Sequence, residues 1–270
     1  MEILAYDFMR RAIVIGVVVS LICSSIGLFL VLKRFSMVGD TLSHISLAGV
    51  AIGMVSGIYP IYTAIAISIA ASIGIEKLRK HYEKYAELAL SVFLAAGIGT
   101  ASVLINLFEG KTNGIMGYLF GSISLVTKQD LYIVITLGAI IMTSVFVLYR
   151  GLFYTTFDEE AAKIAGVKVN YINLYFSIMV AITVTISMRI VGILLVSSLM
   201  VIPVATSLQV AKSFKQSMVY ANLFGLISIV SGLVVSFYLD LAPGGSIVLI
   251  SLGMLLLVLG AKLFKRKLGV

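Results

Sequence analysis

Charged side chains are scarce in this sequence. Only 12% of its 270 residues are Asp, Glu, Lys or Arg, while 60% are hydrophobic. A soluble domain carries about 25% charged residues and needs polar side chains to cover its surface. A water-facing fold is therefore excluded, and lipid takes the place of the missing solvent. Cysteine occurs once, as Cys23 in an apolar run, so no intrachain disulfide can form and the redox compartment stays open. No G-x-x-x-x-G-K-[ST] phosphate loop is present: Gly110-Lys111-Thr112 resembles its tail, but Ile105 stands at the first glycine position. The chain is not expected to hydrolyse ATP. It has no H-E-x-x-H pair, and two histidines leave little for intramembrane catalysis, so no enzyme is expected. The run after Arg11 is longer than a signal-peptide core and no A-x-A-like site follows it, which argues against a cleaved leader.

What is present is a series of apolar runs of about 20 residues, the length that crosses a hydrocarbon core. They lie at 12–32, 40–57, 60–76, 88–108, 131–149, 171–188, 190–208, 218–239 and 245–263. The expected fold is all-α, a polytopic transmembrane bundle of eight or nine spans forming one domain over 1–270. The second run contains Asp40 and His44, and the seventh contains Pro203 and reads as broken or re-entrant. Residues 114–126 are apolar but too short to cross, and read as a re-entrant or interfacial piece. Gly49 and Gly53, four apart, offer a flat helix face for close packing.

The net charge of +8 does not point to nucleic acid, because the basic residues sit between apolar runs. With nine spans, Lys33-Arg34, 77–84, 150–168, Lys212/Lys215 and 262–267 all fall on one side, the cytoplasmic side by the positive-inside rule. Arg10 and Arg11 then fall outside, and a short interfacial N-terminal helix would accommodate them.

Few residues can do chemistry. Asp40 and His44 share one helical face, and carboxylate and imidazole are both ligands for zinc or manganese. An ionisable residue at mid-bilayer costs about 2.5–3.5 kcal/mol, so two on one face call for an ion or a cavity. The same spacing also fits a helix that starts at Thr41 with Asp40 as its cap, and spacing alone does not decide. Two ligands are also fewer than the four of a usual zinc site. Phe157 to Gly166 reads as a short cytoplasmic helix: Asp158 caps it, Glu159 and Glu160 fill its first turn, and Gly166 stops it. It is either an interfacial helix or a docking element. His81 reads as a solvated loop residue. Arg189 reads as a span boundary or a cavity-facing cation. Asp240, in the turn Asp240–Gly245, is on the outer side, where an incoming cation could meet it.

Five blocks in order resemble the ABC-3 family of zinc, manganese and iron permeases. Arg34 through Gly39-Asp40-Thr41-Leu42-Ser43-His44 is similar to its R-x-x-x-x-G-D-x-x-[SA]-H element. Tyr118-Leu119-Phe120-Gly121-Ser122-Ile123 resembles Y-L-F-G-x-[IL]. Asp158, Glu160, Ala161 and Gly166 resemble its acidic, glycine-terminated cytoplasmic element. Val191-Gly192-Ile193-Leu194-Leu195-Val196 through Pro203, and Gly232-Leu233 through Ser236, Asp240 and Ile247-Val248-Leu249, are similar to the two C-terminal blocks. The resemblance implies a type II importer-like permease in the cell membrane. It implies a second permease copy, a cytoplasmic ABC ATPase dimer that alone binds ATP, an extracytoplasmic metal-binding protein, and no permanently bound cofactor. It also implies that Asp40 and His44 lie on the metal path and that Asp158, Glu159, Glu160, Ala161 and Gly166 belong to the coupling helix. A secondary metal transporter or channel is the alternative from another class, although the internal repeats and multiple intramembrane acids of such carriers are not evident. A permease for a metal chelate, such as a siderophore or cobalamin, is the alternative within the class.

Overall fold

The computed structural model describes residues 5–82, 86–108 and 114–267. Glu83 and Lys84 of the basic loop, residues 109–113 with Gly110-Lys111-Thr112, and the side chains of the terminal basic residues 265–267 lie outside the described set. Within it there are twelve helices and no strand. Nine are long and apolar enough to cross a membrane: α1 (Asp7–Leu32), α2 (Ser36–Ser56), α3 (Pro60–His81), α4 (Ala86–Leu107), α6 (Lys128–Val147), α9 (Val169–Val191), α10 (Ile193–Val210), α11 (Phe214–Leu239) and α12 (Pro243–Lys267). Three short helices lie between them: α5 (Ile115–Phe120), α7 (Tyr149–Phe157) and α8 (Glu159–Ile164).

Local chemistry sets the helix ends. Pro60 and Pro243 open α3 and α12, where a missing N–H costs nothing. Gly57 closes α2 in the left-handed conformation. Thr127 and Asp130 form a reciprocal capping box at the start of α6. Pro203 sits inside an unbroken α10, so the seventh span is neither interrupted nor re-entrant. The backbone carbonyl freed by such a proline can be satisfied by neighbouring helices at membrane depth. The N-terminus also differs from expectation. Arg10 and Arg11 belong to the first turns of a continuous α1 that starts at Asp7, and among the described residues no separate interfacial helix precedes it. At 26 residues α1 is about 39 Å long, well beyond the ~30 Å core, so its first turns reach the headgroup region.

Nine spans put the ends of α1, α3, α6, α10 and α12 on one side, together with Lys33, Arg34, Arg79, Lys80, Arg150, Lys163, Lys168, Lys212, Lys215 and Lys262. That face is cytoplasmic. Helices α1, α2 and α9 form the middle of the bundle, each 72% buried over its most apolar window, whereas α4 and α12 are 11% buried and lie at its periphery. The core runs from Ile15, Ile22 and Phe29 of α1 through Leu42 and Ile45 of α2 to Val180, Val184 and Met188 of α9.

Close approach depends on glycine. A Cβ on Gly49 would lie 2.5 Å from the Ala64 Cα of α3, a backbone atom that cannot swing away. A Cβ on Gly99 of α4 would meet nothing within 4 Å. Gly49→Ala is therefore expected to destabilise the protein by about 1–3 kcal/mol. Gly99→Ala should be neutral or stabilising by up to about 1 kcal/mol through helix propensity. Thermal unfolding of the two variants in detergent checks the sign; equal shifts would contradict the packing argument.

Candidate functional site

The inner half of α2 carries the first group. The helix begins at Ser36, and its N-cap, Phe35, makes no side-chain cap bond. Asp40 therefore lies in the second turn and His44 in the third, so Asp40 is not the cap of a helix starting at Thr41. The capping explanation falls, and two ionisable groups remain stacked on one face inside a span. Both are partly exposed rather than sealed. Ser197 Oγ of α10 donates to Asp40 Oδ1 at 3.5 Å, a long contact, and no hydrogen bond reaches the His44 ring among the described residues. Gly97 lets α4 lie against the backbone of His44 and Ile45: a Cβ there would sit 2.9 Å from the Ile45 N. Deeper in the bundle, hydroxyls bridge helices: Ser46 Oγ lies 2.7 Å from Ser68 Oγ and 2.8 Å from Thr185 Oγ1. Cys23, buried as expected of a packed residue, contacts Ser187 Oγ at 3.2 Å. Among the described residues no group of three or more His, Cys, Asp or Glu could hold a metal ion. Asp40 and His44 alone are fewer than the four ligands of a usual zinc site.

On the cytoplasmic face the acidic element forms the short helix α8, set off from α7 before it. Asp158, extended at φ −155, separates α7 from α8 and accepts from the Glu160 and Ala161 amides at 3.0 and 2.9 Å. Gly166 ends the segment at φ +80. The cap and the stop are those read from the sequence; the preceding α7, which follows α6 directly, was not foreseen. Glu159 accepts from Asn173 Nδ2 of α9 at 2.9 Å, and Lys33 Nζ donates to Asn173 Oδ1 at 2.7 Å while lying 3.9 Å from Glu159. Burial brings the Lys33 ammonium down to about 8; Glu159 and Glu76 work against that fall and Arg79 adds to it. His81 ends α3, exposed, with its ring edge-on to Tyr82.

At the outer face Arg189 does mark a span boundary, since α9 ends at Val191 and α10 begins at Ile193. It lies in the last turn of α9, buried, and pairs with Asp130 at 3.1 Å. Its Nη2 donates to the Leu125 carbonyl at 2.8 Å, and its guanidinium lies 4.6 Å from the Tyr118 ring centre. Tyr59 OH donates to the other Asp130 oxygen at 2.6 Å; burial first and this carboxylate second push the Tyr59 phenol up to about 12. The cluster ties α3, α5, the 121–127 segment, α6 and α9 together. Gly192 (φ +85) and Gly121 (φ +78) let the α9–α10 junction touch the end of α5: a Cβ on Gly192 would lie 2.5 Å from the Gly121 N. Sequence reading missed Asp130; the Thr127-x-x-Asp130 box was its one available signal. Asp240 caps α11 in the left-handed conformation and lines a cavity of about 310 Å³ with Ser122, Ser124 and Ser236. It sits at the outer ends of the helices, away from Asp40 and His44 near the inner ends.

A polytopic bundle with an acid and an imidazole set into one central helix, and with a capped acidic helix on its cytoplasmic face, defines a membrane transport subunit rather than an enzyme. The chain belongs to the ABC 3 transport family, which it matches over residues 5–262, and is a multi-pass protein of the cell membrane. It is 39% identical over 257 residues to the "Probable metal transport system membrane protein" of Treponema pallidum, covering 95% of this chain and 96% of that one. To the high-affinity zinc uptake system membrane protein ZnuB of Haemophilus influenzae it is 29% identical, covering 97% and 99%. Its fold matches PsaBC from Streptococcus pneumoniae, solved in complex with Fab, with a TM-score of 0.84 at 27% identity, covering 94% of this chain and 91% of that one.

Proposed function

We propose that this chain is the membrane-spanning permease of an ABC importer that carries divalent metal ions inward, zinc or manganese first and iron as a third candidate. The near full-length match to the ABC 3 transport family, with relatives named for zinc and manganese transport, carries the reading. Such a permease works with a cytoplasmic ATPase, which alone binds ATP, and with an extracytoplasmic protein that delivers the ion.

The ion enters past Asp240, passes down the bundle and is held by Asp40 and His44 before release. One chain offers two ligands there, fewer than the four of a usual zinc site. A second permease copy doubles that number, so the reading includes a homodimer. The α8 helix, with Asp158, Glu159, Glu160, Ala161 and Gly166, docks into the ATPase as the coupling helix. ATP supplies the energy, and the permease supplies the two states between which the contacts to the ion differ.

Vesicles containing the permease, its ATPase and its binding protein are expected to accumulate zinc or manganese only with ATP on the ATPase side. Uptake that needs no ATPase would overturn the reading in favour of a secondary carrier or channel. Uptake of a siderophore or cobalamin complex, but not of the bare ion, would overturn it in favour of a chelate permease. Competition among the metals identifies the cargo.

A further inference from the structure

The α8 helix is six residues long and covalently tied only to α7 and to the segment before α9. Its motion must reach α2, which carries Asp40 and His44 but lies far away in sequence. We propose that Lys33 and Asn173 are positioning residues that transmit movement of α8, through Glu159, to the α1–α2 turn; the inference rests on α8 being the ATPase-docking helix.

The contacts form one chain. Glu159, the first residue of α8, accepts from Asn173 Nδ2 at 2.9 Å, and Lys33 Nζ donates to the other side of that amide at 2.7 Å. Lys33 is the first residue after α1, and its side chain is 3% exposed. It opens the turn Lys33-Arg34-Phe35 from which α2 starts, and Arg34 is held at φ +59. A non-glycine residue is uncommon in that left-handed region, so the surrounding contacts must hold this turn in place. The Arg79 guanidinium lies 4.2 Å from the Phe35 ring centre, and Glu76 fixes Arg79 with contacts of 2.8 and 3.2 Å. Ser177 of α9 donates to Glu76 at 3.3 Å. The base of α2 is thus held by α3 and α9 and reached from α8 by one amide and one ammonium. Asp40 is five residues beyond Phe35, so a shift of this turn moves the candidate ligands directly. The Lys33–Glu159 separation of 3.9 Å is long for a structural ion pair. That suits a contact that tightens and loosens in a cycle.

The assembled importer in vesicles tests this through the number of metal ions accumulated per ATP hydrolysed. Lys33→Met and Asn173→Leu are expected to co-purify with the ATPase as the parent does and to keep hydrolysing ATP, while ions per ATP fall about tenfold, within the range for a coupling residue. Lys33→Arg should keep the parent ratio, and the Lys33→Glu, Glu159→Lys exchange should recover ratio lost in Lys33→Glu alone. A pH series adds a readout that a merely structural residue would not move. The groups facing Lys33 are Glu159, Glu76 and Arg79. Its ammonium is present below about 8 and lost above, so the ratio should decline above that pH in the parent and stay flat in Lys33→Arg, whose charge is fixed. Lys33→Met and Asn173→Leu with the parent ratio would overturn the inference. So would loss of assembly and uptake in equal proportion, which marks a folding role. A parent permease that fails to bind the ATPase overturns the docking reading beneath it, and shows as a different failure.

Discussion

Asp40→Ala and His44→Ala are each expected to abolish ATP-driven metal uptake while the protein still inserts and assembles. The structure separates the two effects. Asp40 caps no helix, because α2 already starts at Ser36, and among the described residues its one side-chain partner is Ser197 at 3.5 Å. The His44 ring makes no hydrogen bond among the described residues. Neither substitution removes a strong internal contact, and taking an ionisable group out of a span does not hinder insertion. Stability should therefore stay within about 1 kcal/mol of the parent, as for sites outside caps, cores and networks. Uptake should not survive. Even outer-shell partners of a metal site cost about 10–100-fold when lost, and a direct ligand costs more. In a dimer each substitution removes two ligands of four. Uptake by reconstituted vesicles, at matched protein content, is the measurement; full uptake by both variants would exclude α2 as the metal path.

Arg189→Ala should be the most destabilising single change on the outer side, by about 3–5 kcal/mol, the usual cost of leaving one member of a buried ion pair unpartnered. The Asp130 side chain is 0% exposed and that of Arg189 9% exposed. Without the guanidinium, a carboxylate stays at the start of α6 with only Tyr59, Thr127 and its own cap for company. The Leu125 carbonyl loses its donor and Tyr118 loses its cation. Arg189→Met combined with Asp130→Leu removes both charges and should recover much of the loss, because apolar replacement of a whole buried pair is often neutral. It will not recover all of it, since Asp130 also closes the capping box with Thr127. Thermal unfolding in detergent, with the single and double variants as a cycle, reads both numbers. An Arg189→Ala protein as stable as the parent would mean that the outer cluster does not hold the helices together.

Parts of this molecule were legible because they are local. Run lengths gave eight or nine spans, and the nine of the structure have boundaries a few residues off those runs. The cap of Asp158 and the stop of Gly166 were readable because a cap needs only neighbours in sequence. Pro203 misled: proline breaks helices in water, but the packed surroundings of α10 accommodate it. Asp40 could not be assigned by spacing, since a cap and a ligand look alike until the helix start is known.

The chain by itself determined that it spans the membrane, that it does so eight or nine times, and where its few ionisable groups fall along each run. These follow from hydropathy, charge and local propensity, which act residue by residue. Only the tertiary structure decided which helices lie at the centre. Helix α12 is more apolar than α2 or α9 and yet lies at the periphery, because hydrocarbon tails are as good a neighbour as a core and hydropathy cannot rank the two. Only the fold, too, joined Asp130 to Arg189 and Lys33 to Glu159. These partners are separated by 59 and 126 positions, and a charge buried in the bundle finds its counter-charge through space, leaving no periodic trace in the sequence.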